Sequence, residues 1–205
     1  MEITTSILRP ETRVVILDLD GTLYCKRGLA FRIVMHNLLE ISLISKERSV
    51  RKDLKGKWFG SEQAFYDTFY AEMANSSMGS VDFMRWWHDT CYMPLMVKLL
   101  RLYYTPNKWV IPFLKQCREK GLQLVLLSDY DFTEEKLAAL GIDRDLFDWV
   151  VSAPELGGLK PAPQLMDVIT GHMQVEPSQC TIIGDRKDTD GALALSSGAQ
   201  FIHVK

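Results

Sequence analysis

Short apolar runs that stop abruptly at acidic or hydroxyl residues constrain the fold of this chain more than any other feature. Val14-Val15-Ile16-Leu17 is continuous and largely β-branched, then breaks at Asp18-Leu19-Asp20-Gly21-Thr22. Residues 122–127 run into Ser128-Asp129, Trp149-Val150-Val151 into Ser152, and Thr181-Ile182-Ile183 into Gly184-Asp185; a short last run covers 201–204. A run without polar alternation suits a strand buried on both faces, as in parallel sheets covered by helices. Helical patterns separate the runs. Thr105-Pro106 predicts an N-cap followed by proline at the first helical position, with the helix continuing to Lys120 and stopping at Gly121. Thr133, followed by Glu134 and Glu135, predicts a second helix ending at Gly141. Residues 163–174 and 190–197 predict two more, the latter stopped by Gly198. Strands alternating with helices predict an α/β chain with an open parallel sheet and helices on both faces.

The alternation lapses between the first two strands. Phe65, Phe69 and Met73, with Tyr66 and Tyr70 beside them, recur at helical spacing, as do Phe83, Trp86, Trp87 and Thr90. Gly60-Ser61 and Gly79-Ser80 predict turns within this stretch. The expected organisation is a core of residues 1–25 and 104–205 with a helical insertion of residues 26–103. Hydrophobic residues make up 47% and charged residues 24% of the 205, enough for a packed core. A net charge of −2 argues against an electrostatic grip on nucleic acid but leaves room for a small anionic substrate. Cys25, Cys91, Cys117 and Cys180 lie far apart and predict reduced thiols rather than a zinc or redox motif. Residues 1–10 lack a signal-peptide pattern, and no run approaches the roughly 20 apolar residues of a membrane span. The expectation is a soluble, cytoplasmic protein without a membrane or nucleic-acid partner, either a monomer or a homodimer.

In open α/β sheets, ligands bind outside the carboxyl ends of the strands. That rule gathers Asp18, Asp20, Ser128, Asp129, Ser152 and Asp185 at one edge, with Asp188 and Asp190 on the loop beyond. Gly157-Gly158-Leu159-Lys160-Pro161 can return Lys160 to the same edge. Crowded carboxylates repel, and a divalent cation relieves the repulsion; hard oxygen donors and a phosphate favour Mg2+. Side chains two apart on a strand face one side, so Asp18 and Asp20 can address one reacting centre, one attacking phosphorus and the other handling the leaving-group proton. Gly21 permits a close backbone turn, and Thr22 can donate a hydrogen bond to a phosphoryl oxygen or to Asp18.

Asp18-Leu-Asp-Gly-Thr-Leu-Tyr24 resembles the first signature of the haloacid dehalogenase superfamily. Leu126-Leu-Ser-Asp129, Leu159-Lys-Pro161 and Ile183-Gly-Asp-Arg-Lys-Asp-Thr-Asp190 resemble the other three, in order. The resemblance implies a three-layer Rossmann-like parallel-sheet core with an inserted α-helical cap. It implies Asp18 as nucleophile and metal ligand, and Asp20 as general acid/base whose carbonyl also binds Mg2+. It implies Ser128 and Asp129 as phosphoryl-binding groups, Lys160 as the balancing cation, and Asp185 as a metal ligand. Asp190 fits the spacing of the last metal ligand better than Asp188, which remains the alternative. Family dehalogenases generally lack the second aspartate, because a halide leaving group needs no proton. Asp20 therefore points to hydrolysis of a small phosphorylated metabolite. A mutase of the β-phosphoglucomutase type shares the signatures and stands as the alternative; a receiver-like phosphate sensor is disfavoured by the Asp-x-Asp-Gly-Thr turn.

In the insertion, Trp58, Phe59, Phe65, Phe69, Trp86 and Trp87 are expected to pack its core. Arg32, Arg85 and His88 are expected at the solvated surface. Tyr24 and Lys26 stand at the hinge, where Tyr24 is a candidate to line the site.

Overall fold

The computed structural model describes residues 3–75 and 79–204. Five parallel strands, β1 (Val14–Leu17), β2 (Gln123–Ser128), β3 (Trp149–Ser152), β4 (Cys180–Gly184) and β5 (Gln200–His203), form one sheet in the order β3-β2-β1-β4-β5. The central β1 registers Val14–Leu17 against Gln123–Leu126 on one side and Cys180–Ile183 on the other. This alignment brings the ends carrying Asp18, Ser128 and Asp185 level with one another.

Among the described residues five α-helices make up the insertion after β1: α1 (Leu29–His36), α2 (Ile41–Leu54), α3 (Glu62–Ala74), α4 (Val81–Trp87) and α5 (Met93–Tyr103). The rest of the chain adds α6 (Val110–Glu119), α7 (Thr133–Leu140), α8 (Gln164–Met173) and α9 (Ala192–Ser197). Strand alternation sorts β1 between two cores. Val15 and Leu17 join a cluster with α6, α7 and the insertion, while Val14 and Ile16 join one with α8 and α9. The result is helix, sheet, helix, as the apolar runs required.

Local chemistry explains the element ends. Ser61 and Ser80 cap α3 and α4 by accepting from the backbone amides of Ala64 and Phe83. Gly141 and Gly198 close α7 and α9 in the left-handed conformation. The helix expected from Pro106 begins only at Val110. Residues before it serve the first signature instead: Pro106 bridges Tyr24, Asn107 N–H donates to the Leu23 carbonyl, and its side chain donates to the Thr22 carbonyl. The second helix starts at Thr133 and stops at Gly141 as expected, with Phe132 in the capping position at φ 56°.

Packing in the insertion differs in detail from the periodicity. Phe65, Phe69 and Trp87 are buried, but Trp86 and Phe83 face outward. Phe59 packs against the cluster beneath the insertion and Trp58 against the opposite one. His88 is buried rather than solvated, within hydrogen-bonding range of Tyr70 and close to Arg51. Among the described residues no helix is long and apolar enough to cross a membrane. The four cysteines are unpaired thiols, of which Cys25 is exposed.

Candidate active site

A cleft of about 340 Å³ lies at the carboxyl ends of β1, β2 and β4, roofed by the insertion. Asp18, Asp20, Asp129, Asp185 and Asp190 reach it. Thr22, Ser128 and Lys160 are wholly or nearly buried and do not line this cleft; they stand behind the residues that do. Leu29, Ile33, Tyr92 and Met96 supply an apolar wall from the insertion.

Asp18 follows β1 directly, and its backbone amide still donates to the Ile183 carbonyl at 3.0 Å. Its carboxylate accepts from Thr22 Oγ1 at 2.7 Å and from Lys160 Nζ at 2.7 Å. Burial, opposed by Lys160 and reinforced by the Asp190 charge, pushes the Asp18 carboxyl up to about 7. Lys160 is 2% exposed and also donates to Asp190 at 2.7 Å and to the Leu127 carbonyl at 3.2 Å. Burial disfavours its charge, but Asp18 and Asp190 outweigh burial and hold the ammonium well above the ordinary lysine range.

Asp20 faces other partners. Its carboxylate accepts from Tyr24 OH at 2.7 Å and from Lys136 Nζ at 2.9 Å, and Ser128 Oγ approaches at 3.4 Å. Burial works against the charged form, yet Lys136 and Tyr24 prevail and hold the carboxyl below its usual range. Tyr24 lines the cleft as considered from the sequence.

One oxygen from each of Asp18, Asp185 and Asp190 falls within a mutual 4.8 Å. Three hard oxygen donors at that spacing suit a divalent cation such as Mg2+. The place already attracts a cation: Lys26 Nζ pairs with Asp185 at 2.6 Å and donates to the Asp20 carbonyl at 3.0 Å. Gly21 makes this approach possible, since at φ 104° a Cβ there would meet Lys26 Nζ at 2.6 Å. Asp188 is elsewhere. It pairs with Lys55 and Arg186, is exposed, and is not in the oxygen cluster, so the structure brings Asp190 and not Asp188 to this centre.

Asp129 shapes its loop from both ends. Its carboxylate accepts from the Lys160 amide at 2.9 Å, and its carbonyl accepts from Arg51 of α2 at 2.7 Å. The loop before Lys160 is tied to the insertion as well. Phe59 N–H donates to the Gly157 carbonyl at 2.7 Å, and Leu159 N–H to the Lys57 carbonyl at 3.1 Å.

Sequence reasoning missed Lys136 and the buried pair Glu47–Arg51. Lys136 sits on the amphipathic α7 among ordinary surface-type residues, and only its inward position, level with Leu137 and Leu140, hints at burial. Glu47 and Arg51 are four apart on α2, a spacing that also fits an exposed pair.

A family model described as haloacid dehalogenase-like hydrolase matches residues 12–198. The chain is 31% identical over 110 residues to haloacid dehalogenase-like hydrolase domain-containing protein 3 of Bos taurus, covering 50% of this chain and 43% of that protein. It is 32% identical over 105 residues to a glyceraldehyde 3-phosphate phosphatase of Methanopyrus kandleri, covering 50% and 45%. The matched segments thus span less than half the length of either relative. A 2-haloacid dehalogenase from Pseudomonas syringae shares the fold at a TM-score of 0.62 and 18% identity, over 94% of this chain and 86% of that one. The matched family span takes in β1 to β4, the insertion and every residue of the acidic centre, and the chain belongs to the haloacid dehalogenase-like hydrolases.

Proposed function

We propose that this chain is a Mg2+-dependent phosphohydrolase that cleaves a small phosphate monoester through an aspartyl-phosphate on Asp18. The observation that carries this reading is Asp20, whose carboxylate lines the cleft beside Asp18. Carbon–halogen cleavage needs no proton donor for its leaving group, whereas an alkoxide does.

An Asp18 oxygen attacks phosphorus, and the phosphorus–ester oxygen bond breaks. Asp20 gives its proton to the departing alkoxide. Lys136 favours the ionised form of Asp20, and the incoming phosphoryl charge opposes Lys136 and favours the protonated form. Water then attacks the phosphoryl group, Asp20 takes its proton, and Asp18 is released with inorganic phosphate. Lys160 fixes the attacking oxygen of Asp18 and offsets charge on the phosphoryl group. Thr22 holds the other Asp18 oxygen. The Ser128 and Asp129 loop is the phosphoryl cradle in this reading. Asp18, Asp185, Asp190 and the Asp20 carbonyl would hold Mg2+, which when bound supplies positive charge against the phosphoryl oxygens. The helical insertion acts as a cap that excludes water and selects the ester.

The test is phosphate release from p-nitrophenyl phosphate with Mg2+ and with EDTA, for the native chain and for Asp18→Asn. Release that depends on metal and is lost in the variant is expected. Undiminished release by Asp18→Asn, or chloride release from 2-chloropropanoate without phosphatase activity, overturns the reading.

A further inference from the structure

A second cavity of about 150 Å³ adjoins the cleft and shares with it Arg48, Asp129, Tyr130, Arg186 and Thr189. Its wall on the insertion side is α2. Arg48, Arg51, Lys52 and Lys55 stand three and four apart there, so they occupy one face of the helix and its C-cap. Lys160 and Arg186 complete a ring of cations.

Most of these charges are neutralised by the protein. Arg51 pairs with the buried Glu47 at 2.5 Å, Lys160 with Asp18 and Asp190, and Lys55 and Arg186 share Asp188. Arg48 and Lys52 are different. Among the described residues neither side chain has a hydrogen bond or a carboxylate partner. Nor is α2 basic all round: exposed positions that do not line either cavity include Ser42, Ser45, Ser49 and Asp53. Uncompensated positive charge is therefore concentrated where the helix faces the nucleophile. Like charges held around so small a volume repel, and an anion entering it relieves that repulsion.

We propose that the substrate carries a second anionic group, a carboxylate or a further phosphate, which Arg48 and Lys52 receive in this side cavity while the scissile phosphoryl group lies at Asp18. The volume suits one oxyacid group, being well below the roughly 300 Å³ at which sites for larger ligands begin. Arg48 borders both cavities and stands at the fork between the two groups. This proposal rests on the phosphohydrolase reading and narrows it to monoesters with two separate negative centres.

Three esters with the same type of primary alkoxide leaving group test it: propyl phosphate, 3-carboxypropyl phosphate and propane-1,3-diyl bisphosphate. At least one charged ester is expected to exceed propyl phosphate in kcat/KM by about tenfold or more, mainly through KM, and added salt should shrink the gap. Which charged ester is preferred identifies the second group as carboxylate or phosphate. The double variant Arg48→Gln/Lys52→Gln should bring the three esters near parity, and Arg48→Lys/Lys52→Arg should keep the preference. Equal kcat/KM for all three in the native chain, or a preference untouched by the glutamine pair, overturns the proposal while leaving the hydrolase reading intact. No phosphate release from these esters or from p-nitrophenyl phosphate overturns the hydrolase reading and this one with it.

Discussion

Replacing Lys136 with Met removes the ammonium that meets Asp20 at 2.9 Å and keeps most of the side chain's volume. Lys136 is fully buried, so its alternative neighbour in the fold is the Tyr130 ring, 5.2 Å away. Breaking a buried ion pair from one side costs about 3–5 kcal/mol, because the other charge is left uncompensated. Asp20 is less enclosed than Lys136. Its side chain keeps 14% exposure and retains the Tyr24 hydrogen bond. Solvent and Tyr24 take up part of the stranded charge, which lowers the expected loss to about 2–3 kcal/mol. In a chain of this size each kcal/mol lowers Tm by about 2–4 °C, so Tm should fall by about 4–12 °C. Asp20→Asn should lose a similar amount by stranding the lysine. Because the two residues act as one unit, the double variant Lys136→Met/Asp20→Asn should be less damaged than the sum of the singles by at least about 1 kcal/mol. Urea unfolding followed by circular dichroism, with EDTA present so that no cation contributes, gives all four values. Additivity within about 0.5 kcal/mol would refute the reasoning, since it would mean that the two charges do not sense each other.

Two further substitutions probe the centre from opposite sides. Lys26→Met removes the ammonium that competes for Asp185 and the Asp20 carbonyl, so calorimetric titration with Mg2+ should show several-fold tighter binding; unchanged or weaker binding would count against a shared position. Gly157→Ala sets a Cβ 2.5 Å from the Ser61 backbone nitrogen at φ 91°, where L side chains are strained. It should destabilise the chain by at least about 1 kcal/mol in thermal unfolding, and an unaltered Tm would contradict the close packing described.

The sheet was readable because each strand is buried on both faces and announces itself as an unbroken apolar run. The acidic centre was readable because the ends of β1 and β4 deliver Asp18 and Asp185 to one edge and the turn after β4 adds Asp190. Long-range use of local groups was not readable. Thr105-Pro106 carries a sound helix-start pattern, but the backbone there pairs with residues 22–24, and tertiary bonding took precedence over the cap. His88 looks like a surface residue on a helix of mixed polarity, and only the three-dimensional meeting of Tyr70 and Arg51 accounts for its burial. Lys136 shows the same limit, because its partner lies 116 positions away. Asp188 and Asp190 differ by two positions and both suit a metal loop; Arg186 and Lys55 claim the first and leave the second to Lys160.

The backbone bonds joining Lys57 and Phe59 to Gly157 and Leu159 bear on how the cleft admits its ligand. They fasten the insertion to the loop carrying Lys160 at a point remote in sequence from the two chain crossings near residues 25 and 104. Any movement that lifts residues 57–61 must either rupture both bonds or drag Lys160 away from Asp18. The 57–61 segment is thereby held to the loop that carries Lys160. In the proposed reading, in which the insertion selects the ester and Lys160 steadies Asp18, the two are mechanically joined here, so substitutions in this stretch of the insertion are expected to alter turnover as well as selectivity.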